Sequence, residues 1–390
     1  MDFALTEEQR MLVESARKVG NRFGVEYWRE KDKHKAFPAE LWQAVCDTGL
    51  CGVALPQEAG GAGLGMLEMA LIVETLAACG GGPTLGQLFM VNPIFGGVSI
   101  SKFGSEEMQR DLLPKLISGQ ATFCMALTEP DAGTNTLEMR SFARPDGAGF
   151  RLSGQKIWIT GVPQAAKMLV VARTKKVDEI QKKTDGITLF MIDVSRPGLR
   201  HTPIEKLGTN TLPSSSVYFD DVRVEPNEVL GTLHQGWSHL LEVLNTERIV
   251  TTAALVGATE LAIRLAVDYA KGRKVFGKTP IGAYQGIQFP LAQAHAQIEC
   301  ARVMNYRAAA NCDAGLPYGS DANIAKLIAA QAAAAAIERG MQTMGGMGYA
   351  KEMDLERLWR DARLFRFAPV SEEMVLNYIA VHDLGMPRSY

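Results

Sequence analysis

Residues 322–344 read ANIAKLIAAQAAAAAIERGMQTM. Alanine has the highest helix propensity and no side chain beyond Cβ. The segment is therefore a long helix that lets its neighbours approach closely. It needs such neighbours, and from residue 236 the chain supplies one. Trp237, Leu240, Leu241, Leu244, Thr251 and Leu255 fall on one stripe of a long helix. Residues 233–390 thus read as a helical bundle. Residues 1–118 are also helical by apolar spacing. Thr6 and Gln9 form a capping-box pattern, and Leu12, Val13, Ala16 and Val19 follow at helical spacing. Glycine and proline punctuate this part at LPQEAGGAGLG and CGGGPTLG, and Phe103–Gly104–Ser105–Glu106 is placed to open a further helix.

Between residues 119 and 232 the texture changes. Short β-rich runs (FRLSGQKIWIT, MLVVART, GITLFMIDV, SSVYFDDVRV) alternate with turn residues and imply a compact β-domain or small barrel. The charge-dense TKKVDEIQKKTDG reads as a solvated loop. There is no fixed-period repeat. The expected fold class is α+β multidomain: helical domain, β-domain, helical bundle.

A net charge of -2 gives no electrostatic reason to bind nucleic acid or an anionic membrane. Six scattered cysteines without a CxxC pair fit reduced thiols in a cytoplasmic protein and argue against a metal site. The start, MDFALTEEQR, lacks a basic segment followed by an apolar run, so no signal peptide is expected. No integral membrane segment is expected either.

Five segments carry the chemistry: FCMALTEPDAGTNT (123–136), LSGQKIWITG (152–161), FDDVRVEPNEVLG (219–231), YAKGRKVFGKTPIGAYQ (269–285) and QTMGGMGYAKEMDLERLWRDAR (342–363). In this order and spacing they resemble the acyl-CoA dehydrogenase family over nearly the whole chain. The resemblance implies an N-terminal helical domain, a middle β-barrel-like domain and a C-terminal four-helix bundle. It also implies FAD as cofactor, an acyl-CoA substrate, an electron-transfer flavoprotein as partner, and a homotetramer.

By the same resemblance Met125, Leu127, Thr128, Trp158 and Thr160 line the flavin ring. Trp158 offers a flat surface and the threonines offer hydroxyls; the alternative for Trp158 is a β-core aromatic. Arg273, Phe276 and Gln285, with Gln342, Gly345 and Gly346, reach the FAD of a neighbouring subunit. An arginine fork suits phosphate, and glycines admit close backbone approach. The GGMG run also reads as a helix C-cap. Thr134 matches a serine near the flavin phosphates and the CoA chain, and Arg248 is assigned with it to the substrate. Asp131 departs from the family's glycine and places a carboxylate near the expected phosphates.

The family reaction needs a carboxylate base in a dry slot. Its usual place, shortly after RDA, falls here on Pro369. A minority branch carries the base on another helix directly before an arginine, and Glu247–Arg248 in VLNTERIVTT matches. Glu247 lies seven residues after Leu240 and three after Leu244, on the apolar stripe. A structural ion pair, with Arg248 itself, is the competing reading. Ser371 and Glu373 remain at the motif's flavin-contacting end. Proline has no N–H, so a backbone donor that polarises the thioester carbonyl is missing at position 369. Either Val370 donates instead, or activation differs. Two other readings stay open: a relative working in the enoyl-CoA-reducing direction, which the SEEM ending also resembles, and a non-catalytic flavin-binding protein.

Overall fold

The computed structural model describes residues 4–389. Residues 1–3, part of the N-terminal stretch read above for a leader, lie outside the described residues, as does residue 390.

The N-terminal part is helical: α1 (Glu7–Arg22), α2 (Val25–Lys33), α3 (Ala39–Asp47), α4 (Met66–Leu76), α5 (Thr84–Phe89), α6 (Ser99–Phe103) and α7 (Glu106–Ile117). The Thr6 side chain accepts from Gln9 N, and the Gln9 side chain accepts from Thr6 N, so the expected capping box forms. Ser105 caps α7 by accepting from Met108 N.

The middle strands are β1 (Phe123–Ala126), β2 (Phe142–Asp146), β3 (Gly149–Thr160), β4 (Lys167–Arg173), β5 (Ile187–Asp193), β6 (Leu199–Ile204), β7 (Ser214–Val224) and β8 (Val229–Leu230). They form one mixed sheet in the order β6-β7-β3-β2-β4-β5-β8, with β1 parallel to β4. The sheet is not a closed barrel. Its two halves meet through a single β2–β4 register pair, Phe142↔Arg173, and wrap a common core that includes Leu152, Val170, Phe190 and Val222. The β4 side chains follow period two. Met168, Val170 and Ala172 face that core, while Leu169 and Val171 face the helices. The charged segment after β4 is a mostly exposed loop, as its composition implies.

The C-terminal part comprises α8 (Gly236–Gly272), a short hairpin β9 (Lys274–Val275) and β10 (Thr279–Pro280), α9 (Gln285–Asp313), α10 (Gly319–Met344), α11 (Leu355–Arg363) and α12 (Glu372–His382). The alanines of α10 are almost all buried, which allows the close packing inferred from its sequence. Leu255 and Val256 of α8 cluster with Ala329 and Ala333, and Leu261 and Ala262 with Ile337 and Met344, so α8 and α10 run parallel. Asn305 Nδ2 donates to Ile249 O (3.1 Å) and Arg302 pairs with Glu260 (3.1 Å), so α9 runs against them.

Three details differ from expectation. Leu241 is exposed, because the buried face of α8 passes through Leu240, Val243, Glu247 and Val250 instead. The bundle's fourth member is split into α11 and α12, with Pro369 in the gap where a continuous helix would need its N–H. Among the described residues α8 is long and apolar enough to cross a bilayer by length and composition, but 78% of its most apolar window is buried in protein, as in a core helix.

The RDA segment joins all three parts. Arg360 reaches Asp32 of α2 (2.7 Å) and the carbonyl of Leu207 (3.2 Å). Buried Asp361 accepts from the Thr84 hydroxyl (3.1 Å) on α5 and from the Thr209 N–H (2.5 Å). Asp361→Ala would leave a buried hydroxyl and a buried N–H unpaired and Arg357 without its neighbour at 3.9 Å. Removing one partner of such a network costs about 3 kcal/mol. Thermal unfolding should show this loss for Asp361→Ala and much less for Arg307→Ala, whose arginine side chain is mostly exposed.

Candidate active site

A buried ion pair builds the middle-domain wall of the site. Lys156, on β3, is fully buried, and Glu129, just after β1, is 6% exposed. Lys156 Nζ donates to Glu129 Oε1 at 2.9 Å and to the Leu127 carbonyl at 2.8 Å. Glu129 also accepts from the backbone N–H of Arg140 (2.6 Å) and Ser141 (2.9 Å). Burial alone would raise the Glu129 proton affinity; Lys156 and the two peptide donors more than offset it and hold it below the usual carboxylate range. Burial pulls Lys156 down to about 8. Both shifts are downward, favouring charge on Glu129 and opposing it on Lys156, but three donors converge on the carboxylate, so the ionised pair is the consistent state. Sequence reasoning quoted both residues, in TEP and GQKIWIT, without assigning either. Lys156 lies on β3 and Glu129 just after β1, so no local pattern marks either one.

This pair fixes to each other the two segments expected to line the flavin. The Ile157 N–H donates to the Thr128 carbonyl at 2.9 Å. Met125, Leu127 and Thr128 are therefore brought beside Trp158 and Thr160, and all but Trp158 are half-buried. Trp158 is not a core aromatic. It is 54% exposed and sits at φ +61°, in a register shift of the β3–β7 ladder. A bulky residue at positive φ is strained. Here the strain presents a large flat ring at the surface. Thr134 is exposed in the loop after Glu129. Asp131 in the same loop lies 3.7 Å from Arg140, which partly neutralises it.

The opposite wall is α8. Leu240 and Val243 share a core with strand residues Leu169 and Leu189, and Met125 and Leu127 pack against it. One turn on, Glu247 is 1% exposed. Its Oε1 has no hydrogen-bond partner among the described residues. Burial drives its proton affinity up to about 8, with Arg248 and Lys326 opposing. The Arg248 guanidinium turns to Asn245 Oδ1, so the structural pair between Glu247 and Arg248 does not form.

The third wall is the α11–α12 turn. Ser371 caps α12, its hydroxyl accepting from Met374 N at 3.3 Å, and Glu373 is exposed in the first turn. Glu372 is held by Arg366 in a bidentate pair (2.7 and 2.8 Å). The Val370 carbonyl accepts from fully buried Lys326 at 2.6 Å. Sequence reasoning missed Lys326; the only signal was a lone cation on the buried face of an alanine-rich helix.

The remaining assigned residues lie elsewhere. Arg273 follows α8, Phe276 is fully exposed in the hairpin, Gln285 opens α9, and exposed Gln342, Gly345 and Gly346 close α10. With α8 and α10 parallel and α9 antiparallel, all six share one end of the bundle. Glu247 and Gly272 are 25 residues apart on α8, or about 38 Å at 1.5 Å per residue. The structure does not bring these six to Glu247 within one chain.

The geometry thus offers a buried carboxylate with an unpartnered oxygen on α8 and, on the β-domain, an exposed strained aromatic beside the half-buried Thr128 and Thr160. The chain belongs to the acyl-CoA dehydrogenase family: the family's N-terminal, middle and C-terminal domain models match residues 6–120, 124–222 and 234–382. It is 39% identical to the acyl-CoA dehydrogenase fadE12 of Mycobacterium bovis over 100% of this chain and 99% of that protein. Its fold is similar to a glutaryl-coenzyme A dehydrogenase in complex with glutaryl-CoA (TM-score 0.95, 30% identity, 100% of this chain and 98% of that one). It is also similar to an FAD complex of PigA (TM-score 0.93, 26% identity, 99% and 100%). The protein is thus an FAD-dependent oxidoreductase acting on CH–CH bonds, and the Trp158 face with Thr128 and Thr160 fits the flavin's flat, hydrogen-bonding ring.

Lys156→Met should leave Glu129 buried and unpaired, costing about 3–5 kcal/mol, and should loosen the Thr128–Trp158 alignment. Chemical denaturation and flavin retention measured together test this. Unchanged stability with full flavin content would refute the role assigned to the pair.

Proposed function

We propose that the protein dehydrogenates an acyl-CoA thioester between its α- and β-carbons, with Glu247 as the base. The observation that carries this is the buried, unpartnered Glu247 Oε1 on α8, one turn beyond Val243 in the core against which Met125 and Leu127 pack. Ionised Glu247 takes the α-proton, and the released electron pair forms the Cα=Cβ bond as the β-hydrogen departs as hydride. FAD, when bound, supplies the hydride acceptor. Trp158, Thr128 and Thr160 hold its ring, Ser371 and Glu373 lie at the same end of the site, and Thr134 and Arg248 orient the thioester. Electrons then pass to an electron-transfer flavoprotein, in the cytoplasm.

Burial raises the Glu247 proton affinity to about 8, so the fraction in the basic form grows as pH rises through that value. The rate of flavin bleaching per unit of acyl-CoA should accordingly climb from pH 6 to 9. Glu247→Gln should cut bleaching by roughly 10²–10⁴-fold, the usual worth of a positioned base, and abolish that climb. Undiminished bleaching by the variant across an acyl-CoA chain-length panel would sink the assignment.

The second set of residues supports a homotetramer. Lying about 38 Å from Glu247 along α8, Arg273, Phe276, Gln285, Gln342, Gly345 and Gly346 serve the flavin of a neighbouring subunit. Arg273→Ala should then lose FAD on gel filtration while keeping its helical content. Full flavin retention in that variant, or a monomeric mass for the flavin-loaded parent by light scattering, would contradict the reading.

A further inference from the structure

Three helices meet around Glu247. Asn245 of α8 and Tyr378 of α12 both approach the start of α10 at Gly319. Two turns further along α10 stands Lys326, fully buried. Among the described residues its only direct partner is the neutral Val370 carbonyl at 2.6 Å. A buried ammonium bonded to one carbonyl is expensive. The obvious carboxylate to relieve it, Glu372, is already taken at both oxygens by Arg366. On the neighbouring helix Glu247 has the opposite deficit, a buried carboxylate oxygen with nothing to receive. The two groups of opposite charge feel each other without forming an ion pair within 4 Å among the described residues.

We propose that Lys326 is a positioning residue that couples the base to the α11–α12 turn: it anchors the turn through the Val370 carbonyl and supplies the buried positive charge against which Glu247 ionises. The inference rests on Glu247 being the base. A direct Glu247–Lys326 pair would hold the carboxylate away from substrate. A cation fixed on Val370 instead lowers the cost of the carboxylate while leaving its oxygen free to take a proton. The same bond sets the position of the residue after Pro369, where the chain lacks a backbone donor.

The other charged or titratable groups facing this pair are Arg248 on α8, Tyr318 before α10, and Glu372, Glu373 and Tyr378 on α12. Arg248 also favours ionised Glu247, while Glu372 and Glu373 act on Lys326. None of them joins Glu247 to the turn.

The test is the pH dependence of anaerobic flavin reduction by a saturated acyl-CoA, in flavin-loaded enzyme. Lys326→Met removes charge and anchor together. Its ionisation limb should move up by about one pH unit, so that reduction at pH 7 falls about tenfold or more while product affinity changes less than about threefold. Lys326→Gln, which keeps an N–H donor for Val370, should show the same moved limb with a plateau closer to the parent. If neither neutral variant holds flavin, Lys326→Arg is read instead: charge is kept, so the limb must stay while the plateau slows, and a moved limb overturns the proposal. An unmoved limb in both neutral variants also overturns it. Glu247→Gln separates the two levels. If that variant still bleaches, the base assignment fails; if it is dead while the Lys326 limb stays put, only the coupling fails.

Discussion

The structure hangs on the polar lock at Arg360 and Asp361. Each of the three parts has its own apolar surface, but apolar burial is non-directional and does not set one part's orientation against another. The lock does. Arg360 takes a carboxylate from α2 and a carbonyl from the β-domain, and Asp361 takes a hydroxyl from α5 and an N–H from the same β-domain turn. These are directional, charge-assisted bonds in a buried setting, where they are strongest and where misalignment is most costly. With the lock closed, the Trp158 ring, α8 and the α11–α12 turn stand in fixed relation, which is what a site assembled from two of the parts requires.

Two buried Glu/Lys sets in the same protein show how charge is used differently. Glu129 and Lys156 are 2.9 Å apart and the carboxylate is saturated with donors, so the pair is rigid and chemically quiet. Glu247 and Lys326 are held apart, each short of a partner. By the reasoning that buried polar groups are satisfied unless something else uses them, the first set is scaffold, while the second keeps the unsatisfied oxygen on which the proposed base role rests. Burial alone does not distinguish them; the count of donors on each carboxylate does.

Much of this was legible in the sequence, for reasons that can be named. Helix and strand texture, the Thr6–Gln9 box and the α10 packing follow from local rules of spacing and propensity. Glu247 was singled out by its place before Arg248, which matches the resembled family branch, and its burial on the stripe follows the helical spacing. Lys156, Glu129 and Lys326 were passed over because their roles depend on partners 27 to 44 residues away, which no local pattern encodes. The expected β-domain is present, but whether it closes was not legible: strand runs are local, while closure depends on pairing between non-neighbouring strands, and here β2 and β4 share one register pair. For Trp158 the core-aromatic alternative stayed open in the sequence because its exposure comes with a positive φ at the ladder shift between Lys156 and Ile159, which no local pattern encodes.

Pro369 ties these observations together. A glutamate at that position would sit on the α11–α12 turn, on a backbone able to donate; proline removes both the acid and the N–H. The loss is structural as well, since the fourth member of the bundle is broken there. Yet the broken turn is not loose. Arg366 and Glu372 clamp it across the proline, Ser371 caps the helix that follows, and Lys326 holds Val370 from the bundle core. A position abandoned by function would have no need of a buried ammonium, because an apolar residue on α10 would fill the same space at lower cost. The turn is fixed from α10, which packs along the α8 that carries Glu247, so one side chain ties the turn to the bundle core.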